Sequence, residues 1–172
     1  EATGVPDKLN GDDHFAYVVG YSDGTVRPNA NISRAEVATI FFRLLKSDIR
    51  DGNLTADNEF SDVSDGQWHN KAISTMAKLG IVNGGSDGYF RPSDPITRAE
   101  IAAMIARCDG NSYGNAYTNF SDVKGHWAAN YIARAYELGW INGYGTTYAP
   151  DKYISRAETV AILNRVLNRA PQ

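Results

Sequence analysis

Three arginines share one sequence context and are candidates for binding an anion. Each stands third in the motif Ile-Ser/Thr-Arg-Ala-Glu, which occurs three times in the chain, at Arg34, Arg98 and Arg156. A hydroxyl residue followed three positions later by glutamate is the capping box that begins an α-helix. The arginine then lies in the first turn, where the helix dipole disfavours a cation by up to about 1 kcal/mol. Because capping does not need this cation, we predict that the guanidinium and the free first-turn amides together bind an anion.

Two structural interpretations of these arginines stay open, namely a solvated side chain and an ion pair with a nearby carboxylate. The residues around the motif favour a ligand. Three glycines in the loops that precede the motif would let a ligand approach bare backbone amides; they are Gly20, Gly84 and Gly143. Four aromatic residues are candidates to offer flat faces to a sugar ring, with packing in the core as the alternative; they are Tyr21, Tyr144, Trp68 and Trp127.

The elements that must position these residues are three amphipathic helices, each beginning at one copy of the motif. Apolar residues follow the arginine at spacings of three and four, which is the pattern of one buried helical face. In the three copies these are Val37, Ile40, Phe41 and Leu44; Ile101, Met104, Ile105 and Cys108; and Val160, Leu163, Val166 and Leu167. We predict that the helices bury these faces against each other in a bundle with approximate threefold symmetry. The register of Cys108 makes it a small core residue.

The motif belongs to a longer repeat, which implies one supersecondary unit used three times. In the second and third copies, Phe-Ser-Asp-Val precedes a tryptophan and a further helical pattern, which Gly80 and Gly139 end. The recurrence of Asp62 and Asp122 within that sequence suggests a capping or turn role. The first copy lacks this front part, and residues 14–19 alternate like a short strand instead.

We divide the chain into a front-shortened repeat over residues 1–50, a second over 51–110 and a third over 111–172, which together form one unit. Residues 46–59 and 109–119 are polar and are expected to be connectors.

Composition narrows the possible functions. A net charge of −3 disfavours general nucleic-acid binding, and no apolar run reaches the roughly 20 residues that cross a bilayer. The single cysteine excludes an internal disulfide. His14, His69 and His126 lack the spacing of a metal site, and the Asp-Gly loops have too few carboxylates for an EF-hand. Without a nucleophile motif either, we predict a non-enzymatic protein with no metal and no cofactor.

The order of these motifs resembles the S-layer homology repeat of bacterial surface proteins. The resemblance rests on Phe-Ser-Asp-Val, the tryptophan, the Asn-Gly and Asp-Gly loop, Arg-Pro and Ile-Ser/Thr-Arg-Ala-Glu, and it covers about residues 12–168. It implies a mainly helical, three-pronged spindle built on a central three-helix bundle.

The resemblance also implies a function. Family members are extracellular, non-catalytic anchors that bind a secondary cell-wall polysaccharide, commonly ending in a pyruvate-ketal N-acetylmannosamine. Grooves between the repeats carry the motif arginine, which here is Arg34, Arg98 or Arg156. A protein–protein or self-assembly module of a surface layer is the alternative.

Two departures from the family pattern predict grooves of unequal affinity. The first copy lacks the first helical motif, so one prong should be reduced. The third copy has a loop one residue shorter, without the Asp-Gly turn, and Ala149 replaces the arginine found at Arg27 and Arg91.

Overall fold

A computed structural model describes residues 4–13, 15–110 and 118–169. Within these ranges the regular structure consists of six α-helices, and strand pairing is limited to isolated bridges. The helices are α1 (Arg34–Leu44), α2 (Ser47–Asn53), α3 (Asn70–Lys78), α4 (Arg98–Cys108), α5 (Ala129–Glu137) and α6 (Arg156–Val166). The predicted all-α class is confirmed.

Each copy of the motif begins a helix, as predicted. Ser33 and Thr97 accept from the amides of Glu36 and Glu100, and both glutamates return a bond to the cap amide. The third copy differs, because the Ser155 side chain accepts from the Glu158 amide but no full capping box is present there. Two capping boxes are therefore confirmed, and the third is incomplete.

The apolar faces of α1, α4 and α6 lie in one hydrophobic core. Equivalent positions are fully or almost fully buried in all three helices, for example Phe41, Ile105 and Leu163. Cys108 is completely buried, which confirms its core assignment, and burial raises its thiol pKa to about 12.

The starts of the three motif helices are joined by a cyclic set of backbone hydrogen bonds. Ile32 donates to the carbonyl of Ile154, Ile154 donates to Ile96, and Ile96 donates to Ile32, at 3.0 to 3.3 Å. Each copy thus makes the same contact with the next, and the third copy returns to the first. This ring gives the described chain its approximate threefold symmetry.

The remaining helices show which parts of the repeat interlock. α3 packs against α1 and α5 packs against α4, so a front helix covers the motif helix of the preceding copy. Gly80 and Gly139 adopt φ of 71° and 75° just after these helices, as their predicted role as helix stops requires.

Two local predictions were wrong. The connector over residues 46–59 contains α2. None of the seven residues of this helix is buried, so the sequence has no apolar periodicity from which it could be predicted. Residues 15–19 form no strand, since they lack a neighbouring strand to pair with; His14 lies outside the described residues. The second connector falls partly there too, at residues 111–117.

Candidate functional site

The motif arginines reach from one copy of the repeat into the loop of the next. Arg34 donates from Nε to the Phe90 carbonyl at 2.8 Å and from Nη2 to the Asn83 carbonyl at 3.2 Å. Its Nη1 is paired with the Glu100 carboxylate. The side chain is 15% exposed, so part of the guanidinium faces solvent.

The other two arginines repeat this geometry but are buried. Arg156 donates to the carbonyls of Val26 and Val19, each at 2.9 Å, and pairs with Glu36. Arg98 donates to the carbonyls of Tyr148 and Asn142 at 2.8 and 3.0 Å. Only 4% of Arg156 and 5% of Arg98 is exposed. These contacts give the arginines a structural role, which is the ion-pair interpretation that the sequence left open for Arg34 and Arg156.

The first-turn amides are not free, so that part of the anion prediction was wrong. The Arg34 amide donates to the Asp94 carbonyl and the Ala35 amide donates to the Pro92 carbonyl, each at 2.9 Å. The equivalent amides of α4 and α6 donate to carbonyls in the same way. Because a neighbouring copy satisfies these donors, a helix N-terminus offers no vacant anion site here.

The predicted residues assemble into grooves that draw on all three copies. A cavity of about 500 Å³, the first groove, is lined by Arg34 from the first copy, Gly84 from the second and Trp127 from the third. Arg91, Arg107, Glu100 and Tyr153 also line it. Trp127 is 57% exposed, which excludes the core-packing interpretation for this residue.

A second cavity combines the same three features, namely a motif arginine, a glycine loop and a tryptophan, but takes each of them from a different copy than the first groove does. The second groove, of about 190 Å³, is lined by Arg156 from the third copy, Gly20 and Tyr21 from the first, and Trp68 from the second. Trp68 is 68% exposed, so it too is a surface residue. Tyr21 lies under the Arg156 guanidinium, with its ring centroid 4.9 Å from Cζ.

The third combination brings together Arg98 and the loop of Gly143 and Tyr144, and we call it the third interface. By analogy with the two grooves, a tryptophan of the first copy would lie here, but the first copy has no tryptophan. The rings of Tyr144 and Tyr148 lie 4.7 and 4.4 Å from the Arg98 Cζ. Tyr148 is fully buried and its hydroxyl donates to the Arg98 carbonyl at 3.0 Å. Aromatic rings thus lie against Arg98 as Phe90 lies against Arg34 and Tyr21 against Arg156, and the third interface differs from the two grooves in lacking the tryptophan.

The glycines have a packing reason to be glycine. A Cβ at Gly84 would lie 2.5 Å from a ring carbon of Phe60, and one at Gly143 would lie 2.6 Å from the Thr147 carbonyl oxygen. At Gly20 the nearest atom would be the Thr25 carbonyl oxygen, at 3.1 Å. The loops thus lie directly on an aromatic ring or on their own backbone.

A second set of recurrent arginines was missed by the sequence analysis. Arg43, Arg107 and Arg165 each follow the motif arginine by nine residues. Arg107 donates to the Ile81 carbonyl at 3.3 Å, and its guanidinium lies 4.7 Å from the Tyr131 ring. In the orientation that satisfies its neighbours, the Asn83 amide oxygen accepts from Arg107 at 3.3 Å. The identical spacing in all three copies was the signal that could have found this residue.

The recurrent aspartates have the capping role that was predicted. Asp62 accepts from the amides of Phe90 and Arg91, both at 2.8 Å. Asp122 accepts from the amides of Tyr148 and Ala149. Burial acts to raise the Asp122 pKa, but these two amides, the residue's own amide and the Arg98 charge together hold the pKa below its usual value. These bonds support the left-handed backbone at Arg91 and Ala149.

The described residues contain no cluster of three histidine, cysteine, aspartate or glutamate side chains that could hold a metal ion. No helix in them is long and apolar enough to span a bilayer.

Comparison with known proteins identifies a family. The S-layer homology domain family matches residues 16–38, 59–102 and 119–160. Cell surface glycoprotein 1 of Acetivibrio thermocellus is 38% identical over 97% of the chain, and the cellulosome-anchoring protein of the same organism is 35% identical over 97%. An S-layer protein of Bacillus licheniformis is 32% identical over 85%. The chain spans only 8%, 39% and 17% of the lengths of these three relatives.

Proposed function

Because the chain belongs to the S-layer homology domain family, we propose that it anchors a protein to the bacterial cell wall without catalysis, by binding an anionic wall polysaccharide in its grooves. The similar proteins named above include a cellulosome-anchoring protein and an S-layer protein, which supports a role at the cell surface. The proposed ligand is a glycan end that carries a carboxylate, such as a pyruvate ketal on N-acetylmannosamine.

The observation that carries this proposal is an arginine in the first groove, Arg107, that forms no ion pair with the described residues. The Arg34 cation is paired with Glu100, so it contributes little net charge to a ligand. Arg107 is different, because its partners in the described part of the chain are a carbonyl, an amide oxygen and an aromatic face, all neutral. Arg107 is thus a guanidinium without an ion pair in the described part of the chain, in a cavity that Asp94 also lines, and a ligand carboxylate would accept a charge-assisted hydrogen bond from it.

The aromatic residues of the first groove fit a sugar next to that carboxylate. Trp127 is 57% exposed and Tyr153 is 52% exposed, and both line the cavity that contains Arg107. An aromatic ring offers apolar area at low conformational cost, and a pyranose ring presents C–H groups on its faces. With about 500 Å³, the cavity falls in the size range of small-molecule sites.

The second groove is proposed as a weaker site for the same ligand. It keeps the tryptophan and an arginine nine residues after the motif, Arg43, but its volume is about 190 Å³. Two such sites, each binding the end of a different wall polymer, raise the overall avidity for the wall by up to about 10²–10⁴-fold when both engage together. The third interface, which lacks the tryptophan present in the two grooves, contributes no site in this proposal.

Calorimetry with a pyruvylated N-acetylmannosamine tests the proposal. Replacing Arg107 by glutamine removes one charge-assisted contact of about 1.5–3 kcal/mol, so we expect Kd to rise about 10- to 100-fold. The matched control is Arg165→Gln, which changes the equivalent residue at the third interface; we expect it to leave Kd unchanged. Equal binding of the same sugar without pyruvate would overturn the assignment of the anion.

Sedimentation with purified wall polysaccharide separates an anchor from a protein–protein module. An anchor cosediments with the polymer, and its retention weakens as salt rises because the contact is between charges. A protein that remains in solution with the polymer, yet associates with itself, would instead support the self-assembly alternative.

A further inference from the structure

A cavity beside the first groove has no role in the proposal above. This side cavity, of about 370 Å³, is lined by residues 57–60 before α3, by Ser74, Ala77 and Lys78 on α3, and by Val82, Asn83 and Gly84. The last three residues also line the first groove. The two cavities are therefore neighbours across a single short loop, and the Phe60 ring packs where a side chain at Gly84 would lie.

The equivalent place in the third copy is filled. The residue that corresponds to Ala77, counted from the shared tryptophan, is Tyr136. The Tyr136 ring packs against Phe120 with their centroids 4.8 Å apart. Phe120 corresponds to Phe60, which lines the side cavity. Alanine thus stands beside Phe60 in the second copy where a tyrosine ring packs on the equivalent Phe120 in the third.

The rim of the side cavity carries charges that no protein group compensates. Asp57, Glu59 and Lys78 are exposed, and in the described part of the chain none of them forms an ion pair. Two carboxylates against one ammonium repel a second anionic group. The carboxylates accept hydrogen bonds from sugar hydroxyls, and the ammonium donates hydrogen bonds to them. The side cavity therefore differs in chemistry from the first groove, where Arg107 adds positive charge.

We propose that the side cavity is a subsite for the next sugar of the bound polysaccharide, and that this sugar is neutral. The assignment rests on the proposed function, since the anionic end must first occupy the groove of Arg107. The glycan would then cross the loop at Gly84, and its hydroxyls would meet Asp57, Glu59 and Lys78. The subsite gives the binding surface a direction, with the carboxylate at one end and uncharged sugar at the other.

The test compares two probes by calorimetry, the pyruvylated monosaccharide and a trisaccharide that carries the same terminal sugar followed by two neutral ones. Wild-type protein should bind the trisaccharide about tenfold more tightly, as a single hydrogen bond between a hydroxyl and a charged group would give. Ala77→Tyr introduces the side chain that the third copy already accommodates, so it should fold normally. It should abolish the gain from the longer probe and keep the affinity for the monosaccharide.

Two further variants make the test specific. Lys78→Ala removes a donor without filling the cavity, and we expect it to reduce the trisaccharide gain. Tyr136→Ala opens the corresponding place in the third copy and should leave that gain unchanged. A monosaccharide that fails to bind wild type would overturn the proposed function itself. A monosaccharide that binds, with the same trisaccharide gain in wild type and Ala77→Tyr, would overturn only the subsite.

Discussion

Replacement of Arg98 by alanine tests whether a motif arginine holds the fold together. The side chain is 5% exposed, and its guanidinium donates to two loop carbonyls, those of Tyr148 and Asn142. Hydrogen bonds from a charged donor contribute about 1.5–3 kcal/mol each, and the two tyrosine rings add a cation–π contribution of up to about 2 kcal/mol. The variant no longer has the desolvation cost of burying a guanidinium, and this offsets part of the sum. We expect a net loss of about 3 kcal/mol in the free energy of unfolding.

The assay is thermal and denaturant unfolding of wild type and variant. For a protein of this size, 1 kcal/mol corresponds to about 2–4 °C, so Tm should fall by about 6–12 °C. Arg107→Ala is the control, because Arg107 is only half-buried and has one backbone contact, at 3.3 Å; its cost should be about 1 kcal/mol or less. If Arg98→Ala unfolds like wild type and yet loses polymer binding, the structural role assigned to Arg98 is wrong.

Two more predictions follow from groups near the grooves. Burial lowers the pKa of His69, and the Asp62 charge opposes this shift without cancelling it, so the folded state prefers the neutral ring. The free energy of unfolding should therefore be highest above pH 6.5 and should decline as the pH falls through 6.5 toward the lower pKa of the folded state. His69→Ala, which copies Ala128 of the third repeat, should flatten that pH dependence in denaturant melts, and an unchanged slope would refute the assignment. Gly143→Ala should destabilise more than Gly20→Ala, because its Cβ would lie 2.6 Å rather than 3.1 Å from a carbonyl oxygen; overpacking typically costs about 1–3 kcal/mol, and equal melting points would contradict the packing argument.

The parts of the fold that sequence could predict are the local ones. Capping at Ser33 and Thr97 depends on residues three positions apart, and the stripe that buries Phe41 depends on spacings of three and four. Such contacts recur at fixed spacings within a single helix, so they can be predicted from the periodicity of the sequence. The short helix α2 has no buried side chain and therefore left no such signal.

The partners of the arginines could not be predicted in the same way. Arg34 finds Phe90 and Asn83 at sequence separations of 56 and 49 residues, in a loop of another copy. A cation in the first turn is an unusual placement for a helix, but a vacant anion site there would also require free first-turn amides. The carbonyls of Asp94 and Pro92 satisfy those amides. Only the spatial order of the three copies reveals that the arginine links repeats.

The grooves differ in their side chains because each groove is built from residues of all three copies. Each groove takes an arginine from one copy, a glycine loop from the next and a tryptophan from the one after that. A shortened first copy should therefore leave its own arginine, Arg34, in an intact groove, and deprive Arg98 of its tryptophan instead. The structure has that arrangement, since Trp127 lies in the groove of Arg34 while Tyr144 lies over Arg98. A defect in one repeat thus appears at the site that carries another repeat's arginine, and a copy-by-copy comparison of sequence would assign it to the wrong groove.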